Sequence, residues 1–102
     1  MLYLVESRVA PPAEITPEDW QRLAQAESDY GIQARRDGHL LHIWRIAGRY
    51  AAMSIWEAAD HDELHALLCG LPLFPYADLT VTALATHPST LRWGAIQSGQ
   101  QT

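Results

Sequence analysis

One carboxylate in this chain stands where carboxylates are rarely left. Between residues 17 and 37 the pattern is helical. Trp20, Leu23, Ala24, Glu27, Tyr30, Gly31 and Ala34 fall at the i, i+3, i+4, i+7 spacing of a single stripe. Glu27 sits in the middle of that stripe. Glu18, Asp19 and Asp37 lie at the helix ends, where solvent and the helix dipole account for them. Burial disfavours the charged form of a carboxylate and raises its pKa, which is what a general base needs near neutral pH. Glu27 is therefore the candidate acid–base residue. The competing reading is an acid paired with an arginine from the sheet, or one placed at the rim of the helix–sheet contact.

The second strand supplies candidate partners. His42, Trp44 and Ile46 share one face of it, and Leu41, Ile43 and Arg45 the other. Arg45 and Arg49 flank a hairpin turn, and either can hold a substrate carboxylate, against the alternative of solvated charges. His42 reads as a site residue or as a satisfied sheet histidine. His61 and His65 are at i, i+4, a spacing that can bind zinc. Their run, His-Asp-Glu-Leu-His, has Asp62 where the metalloprotease pattern needs Glu, so no metal is expected. Cys69 ends a leucine-rich stripe beside Gly70 and is expected as a buried structural thiol.

These residues need elements to position them. Residues 2–9 read as a strand, stopped by Ala10-Pro11-Pro12. Thr16-Pro17-Glu18-Asp19 is a helix start, with Thr16 as cap and Pro17 at the first helical position. Gly38 stops that helix. Residues 39–46 and 49–56 read as a hairpin joined at Ala47-Gly48. Asp60 with Glu63 repeats the capping pattern, and Leu64, Leu67, Leu68 and Leu71 mark an amphipathic helix ended by Gly70. A Pro-punctuated connection, residues 71–76, leads to a fourth strand at 78–86. The order is βαββαβ, the split pattern of a ferredoxin-like α+β domain. Both helices then cover one face of a four-stranded antiparallel sheet. From His87 on the chain reads as a tail, with residues 97–102 polar and frayed. Leu91, Trp93 and Ile96 are unusual in a free end and suit docking on a neighbouring subunit.

Bulk properties narrow the function. The 102 residues make one domain, taken here as 1–92 with a tail at 93–102. So small a domain buries a thin core, and a second copy is expected to cover the open sheet face. The net charge is −5, and the seven basic residues are all Arg. Nucleic acid is not an expected partner, but a small anionic substrate held by a few placed arginines is. A single cysteine fits a reducing cytoplasm. The apolar start is too short for a signal peptide or membrane span.

The assembled pieces resemble the muconolactone Δ-isomerase family. The resemblance is carried by Met1-Leu2-Tyr3-Leu4-Val5, by Glu27, Tyr30 and Gly38, and by the run from His42 through Ala51. Asp62-Glu63-Leu64-His65, the run from Gly70 through Tyr76, and His87-Pro88-Ser89 complete it. It covers nearly all of the chain to about Arg92. It implies a dimeric α+β barrel, assembly into decamers, and a cofactor-free shift of a ring double bond in a carboxymethyl-butenolide. It also implies a place in aromatic breakdown by the β-ketoadipate route. On this resemblance Glu27 is the base, and Tyr30 and His42 are candidate donors to the oxyanion. Trp44, Arg45, Arg49 and Phe74 are candidate substrate-binding residues, and no cofactor is expected. Family members typically carry Glu-Lys-Ala-Tyr where this chain has Glu27-Ser28-Asp29-Tyr30, and Trp-Pro where it has Leu40-Leu41. Other readings therefore stand beside the isomerase: a different or chlorinated lactone with loss of chloride, a biosynthetic lactone or polyketide intermediate, or ligand binding without turnover. A cofactor-free monooxygenase or haem-handling protein would share the fold alone.

Overall fold

The structure is a computed structural model that describes residues 1–99. Its elements are β1 (Leu2–Val9), α1 (Pro17–Arg36), β2 (Leu40–Arg45), β3 (Ala51–Glu57), α2 (His61–Cys69), a 3-10 turn at Phe74–Tyr76, β4 (Ala77–Leu84) and α3 (Pro88–Gln97). The four strands form one antiparallel sheet in the order β2-β3-β1-β4, as the βαββαβ reading requires.

Local chemistry sets the element ends. The Thr16 side chain accepts from the Asp19 amide at 3.1 Å, and Pro17 opens α1. Gly38, at φ 81°, ends it. Asp60 accepts from the Glu63 amide at 2.8 Å, while the Glu63 carboxylate accepts from the Ala59 amide at 2.9 Å. That is close to the reciprocal arrangement of a capping box.

The helices cover one face of the sheet. Tyr3 and Val5 of β1, Leu40 of β2, Trp56 of β3 and Leu64 and Leu68 of α2 form the core with Ala34 of α1. The register places Leu4, Ile55 and Trp44 on the other face, which no helix covers. A bulge between Leu40 and His42 lets Leu40 share the covered face with Ile43 and Arg45. His42 and Trp44 face the opposite way, their rings stacked at 5.4 Å.

Two expectations need correction. The hairpin connection is longer than Ala47-Gly48, because β3 begins at Ala51. The Arg49 amide donates to Ile46 O at 3.1 Å, and Gly48 has φ 79°, the sign that a type II turn needs at its third residue. The stretch after His87 is not a tail but α3, capped by His87 Nδ1 accepting from the Ser89 amide at 3.1 Å, with Pro88 at its start. Leu91, Trp93 and Ile96 do not form one stripe at helical spacing, so periodicity does not announce this helix. It projects from the domain with Leu91 71% and Trp93 59% exposed. The division expected after residue 92 falls inside α3. Of the frayed end expected at 97–102, Gln97 closes the helix and Ser98 caps it; residues 100–102 lie outside the described residues.

Candidate active site

Midway along α1, Glu27 enters the space between helix and sheet. Its Oε1 accepts a hydrogen bond from the Leu73 amide at 3.1 Å. Among the described residues no basic side chain comes within 4.0 Å of it, so the reading of Glu27 as half of an arginine pair does not hold. Burial pushes its pKa above the ordinary carboxylate value, and the Leu73 hydrogen bond opposes part of that rise.

Two adjoining cavities meet at Glu27. The smaller, ≈ 80 Å³, is nearly all apolar and is walled by Val5, Gly31, Trp56, Leu71 and Phe74 beside Glu27. The larger, ≈ 360 Å³, is more open and brings Ser28, Arg45 and Tyr50 to the same carboxylate. The Arg45 guanidinium lies 4.9 Å from the Tyr50 ring centroid, a cation–π contact that steadies a long side chain. Ser7 on β1 borders both spaces. One end of the site is thus narrow and mostly apolar, the other is bordered by the Arg45 side chain, and the Glu27 carboxylate stands between them.

The structure gathers some of the expected residues and separates others. Glu27, Arg45 and Phe74 come together, and Trp44 borders the larger cavity although its ring stacks on His42. Tyr30 borders neither cavity. Its hydroxyl donates to Leu67 O at 2.6 Å, tying α1 to α2, and burial with the nearby Glu27 charge raises its pKa. Within one chain His42 is on the far face of the sheet from Glu27. Within the single chain the candidate donors Tyr30 and His42 thus line neither cavity that meets Glu27. Arg49 sits exposed in the hairpin turn and lines neither cavity.

The second-helix candidates part company as well. His61 Nδ1 is 2.7 Å from the Tyr3 hydroxyl, and His65 Nε2 is 3.3 Å from Cys69 Sγ. Cys69 is exposed, not buried as expected, because it follows Leu68 round the helix onto the solvent side. Among the described residues no three His, Cys, Asp or Glu side chains gather as metal ligands.

Sequence reasoning missed Ser7, Tyr50 and the Leu73 amide. A signal existed for Ser7. Tyr3, Val5, Ser7 and Val9 alternate on one face of β1, so Ser7 is a polar residue on a covered face, the strand counterpart of Glu27. No sequence signal marks a backbone amide.

The fold and this site define a ferredoxin-like α+β domain with a part-buried carboxylate in a pocket between helix and sheet. A solved antibiotic biosynthesis monooxygenase shares the fold, at TM-score 0.54 and 15% identity over 86% of this chain and 100% of that one. A much nearer structural match is a solved muconolactone isomerase, at TM-score 0.82 and 38% identity over 87% of this chain and 93% of that one. The family model described as muconolactone delta-isomerase matches residues 1–90. The muconolactone Delta-isomerase of Cupriavidus pinatubonensis is 42% identical over 90% of this chain and its own full length. That of Acinetobacter baylyi is 38% identical over 90% of this chain and 96% of its own. The chain belongs to the muconolactone Δ-isomerase family.

Proposed function

We propose that the chain isomerises muconolactone to the enol-lactone of 3-oxoadipate, within the breakdown of aromatic compounds, with Glu27 as the acid–base group. The observation that carries this reading is the unpaired, part-buried Glu27 carboxylate at the junction of an apolar cavity and one holding Arg45. The lactone ring packs against Phe74 and Trp56, and the acetate arm reaches Arg45, whose guanidinium suits a carboxylate. Glu27 removes the proton from the ring carbon that bears the acetate arm. The C–H electrons form the new ring double bond, the old double bond's electrons shift to the bond beside the carbonyl, and the carbonyl π electrons move onto its oxygen. The protonated Glu27 then returns a proton to the carbon beside that carbonyl, and no electrons are gained or lost. One carboxylate serves both transfers on one face of the ring. Ser7, Ser28 and Tyr50 border the same space, and a hydroxyl of theirs donates to the oxyanion.

A homo-oligomer completes this reading. A second copy covers the open sheet face that presents Leu4, Ile55 and Trp44, which stays apolar in the single chain. The single, free Cys69 suits a reducing cytoplasm. Among the described residues no helix is long and apolar enough to cross a membrane.

The test is an ultraviolet assay of purified protein with muconolactone, with the enol-lactone identified as product. Conversion is expected. A folded protein that leaves muconolactone untouched overturns the reading, and chloride release from a chlorinated muconolactone would assign the elimination reaction instead.

A further inference from the structure

The same carboxylate that faces the cavities is also held by the connection between α2 and β4. That connection makes its own turn hydrogen bonds: the Phe74 amide donates to Leu71 O and the Tyr76 amide to Leu73 O, each at 2.9 Å. Pro72 and Pro75 have no amide hydrogen to give. The amide left over is that of Leu73, and it donates to Glu27 Oε1 at 3.1 Å across the helix–sheet space. Each amide in the turn therefore has one fixed use, and Leu73's is the carboxylate.

We infer that the Leu73 backbone amide is a positioning group for the reaction, holding Glu27 Oε1 so that Oε2 alone carries the proton. The inference rests on Glu27 being the base, as proposed above. A proton that leaves one ring carbon and returns to another on the same face needs a carboxylate that does not rotate between the two steps. A hydrogen bond from the amide to one oxygen opposes that rotation without neutralising the group. The amide favours the carboxylate form while burial favours the acid, so the two together set where Glu27 titrates.

An amide-to-ester replacement at Leu73 (leucic acid in place of leucine) removes this one N–H and keeps the side chain. The expected result is a fold unchanged by circular dichroism, kcat reduced by about tenfold or more, KM nearly unchanged, and an acid limb of the pH profile displaced upward. A kcat and pH profile equal to those of the parent protein overturn the inference. A second measurement needs neither the ester nor turnover. In the unaltered protein the Leu73 amide proton resonance should move as Glu27 titrates, and that movement should vanish in Glu27→Gln. A Leu73 resonance indifferent to pH in the carboxylate range overturns the inference. Absence of muconolactone turnover together with a titrating Leu73 resonance would instead locate the failure in the proposed reaction.

Discussion

Ionising Glu27 costs more in the folded chain than in water, because the carboxylate lies between helix and sheet with one amide and no cation beside it. The folded state therefore binds the Glu27 proton more tightly than the unfolded state does. By linkage, the stability contributed by the protonated group is present below the ordinary Glu pKa. It is lost as pH rises from there through the raised folded value. Glu27→Gln should thus raise the thermal midpoint at neutral pH while lowering kcat by about a hundredfold or more. Calorimetry and the muconolactone assay on one sample check both halves, and wild-type turnover would remove Glu27 from the mechanism. Activity should rise with pH along an acid limb above the ordinary carboxylate range, since the ionised form is the base. Arg45→Ala should act differently, raising KM by roughly tenfold through loss of the carboxylate anchor, with a smaller change in kcat.

At the scale of elements, α1 is tied to α2 and to the connection after it by two hydrogen bonds, Tyr30 to Leu67 O and the Leu73 amide to Glu27. The first explains a small residue. A Cβ built on Gly70 would lie 2.6 Å from the Tyr30 hydroxyl and 3.2 Å from its ring. Gly70 itself has φ −78°, so the requirement is space and not backbone freedom. Gly70→Ala should cost about 1–3 kcal/mol by overpacking, read as a lower midpoint in urea. Tyr30→Phe should cost about 1 kcal/mol by loss of one hydrogen bond and leave kcat within a few-fold. A large loss of kcat with unchanged stability would return Tyr30 to the chemistry.

For the whole molecule, the decisive surface is the sheet face without helices. In the single chain it carries Leu4, Ile55 and Trp44, the last 55% exposed. A four-stranded sheet this open needs a cover, and in the proposed homo-oligomer a second copy with the same pattern supplies it. Ile55→Arg should dissociate the oligomer, as sedimentation would show, while Arg49→Ala in the exposed turn should leave assembly unchanged. Assembly of an Ile55→Arg protein identical to that of the parent would move the interface elsewhere, with α3 the next surface to test. The molecule's longest dimension, 63 Å, reflects how far that helix stands from the body.

The chain's local patterns were enough to read its order of elements through β4. Caps at Thr16 and Asp60, stops at Gly38 and Gly70, and alternation on β1 are short-range chemistry, legible wherever the residues are known. Glu27 was legible for the same reason: a charge within an apolar stripe is visible without coordinates. Periodicity misled only where it was weak, in α3, or displaced, in the hairpin turn and at the bulge beside Leu40. What the tertiary structure alone decided is which of the candidates meet. Sheet packing decided which face of β2 the helices cover, the one with Arg45 and not the one with His42. The Tyr30 hydroxyl was drawn to Leu67 O, and the turn after α2 left one amide free for Glu27. Those outcomes depend on pairing between segments dozens of residues apart, where burial must be balanced across the whole sheet and a shift of one residue turns every side chain over.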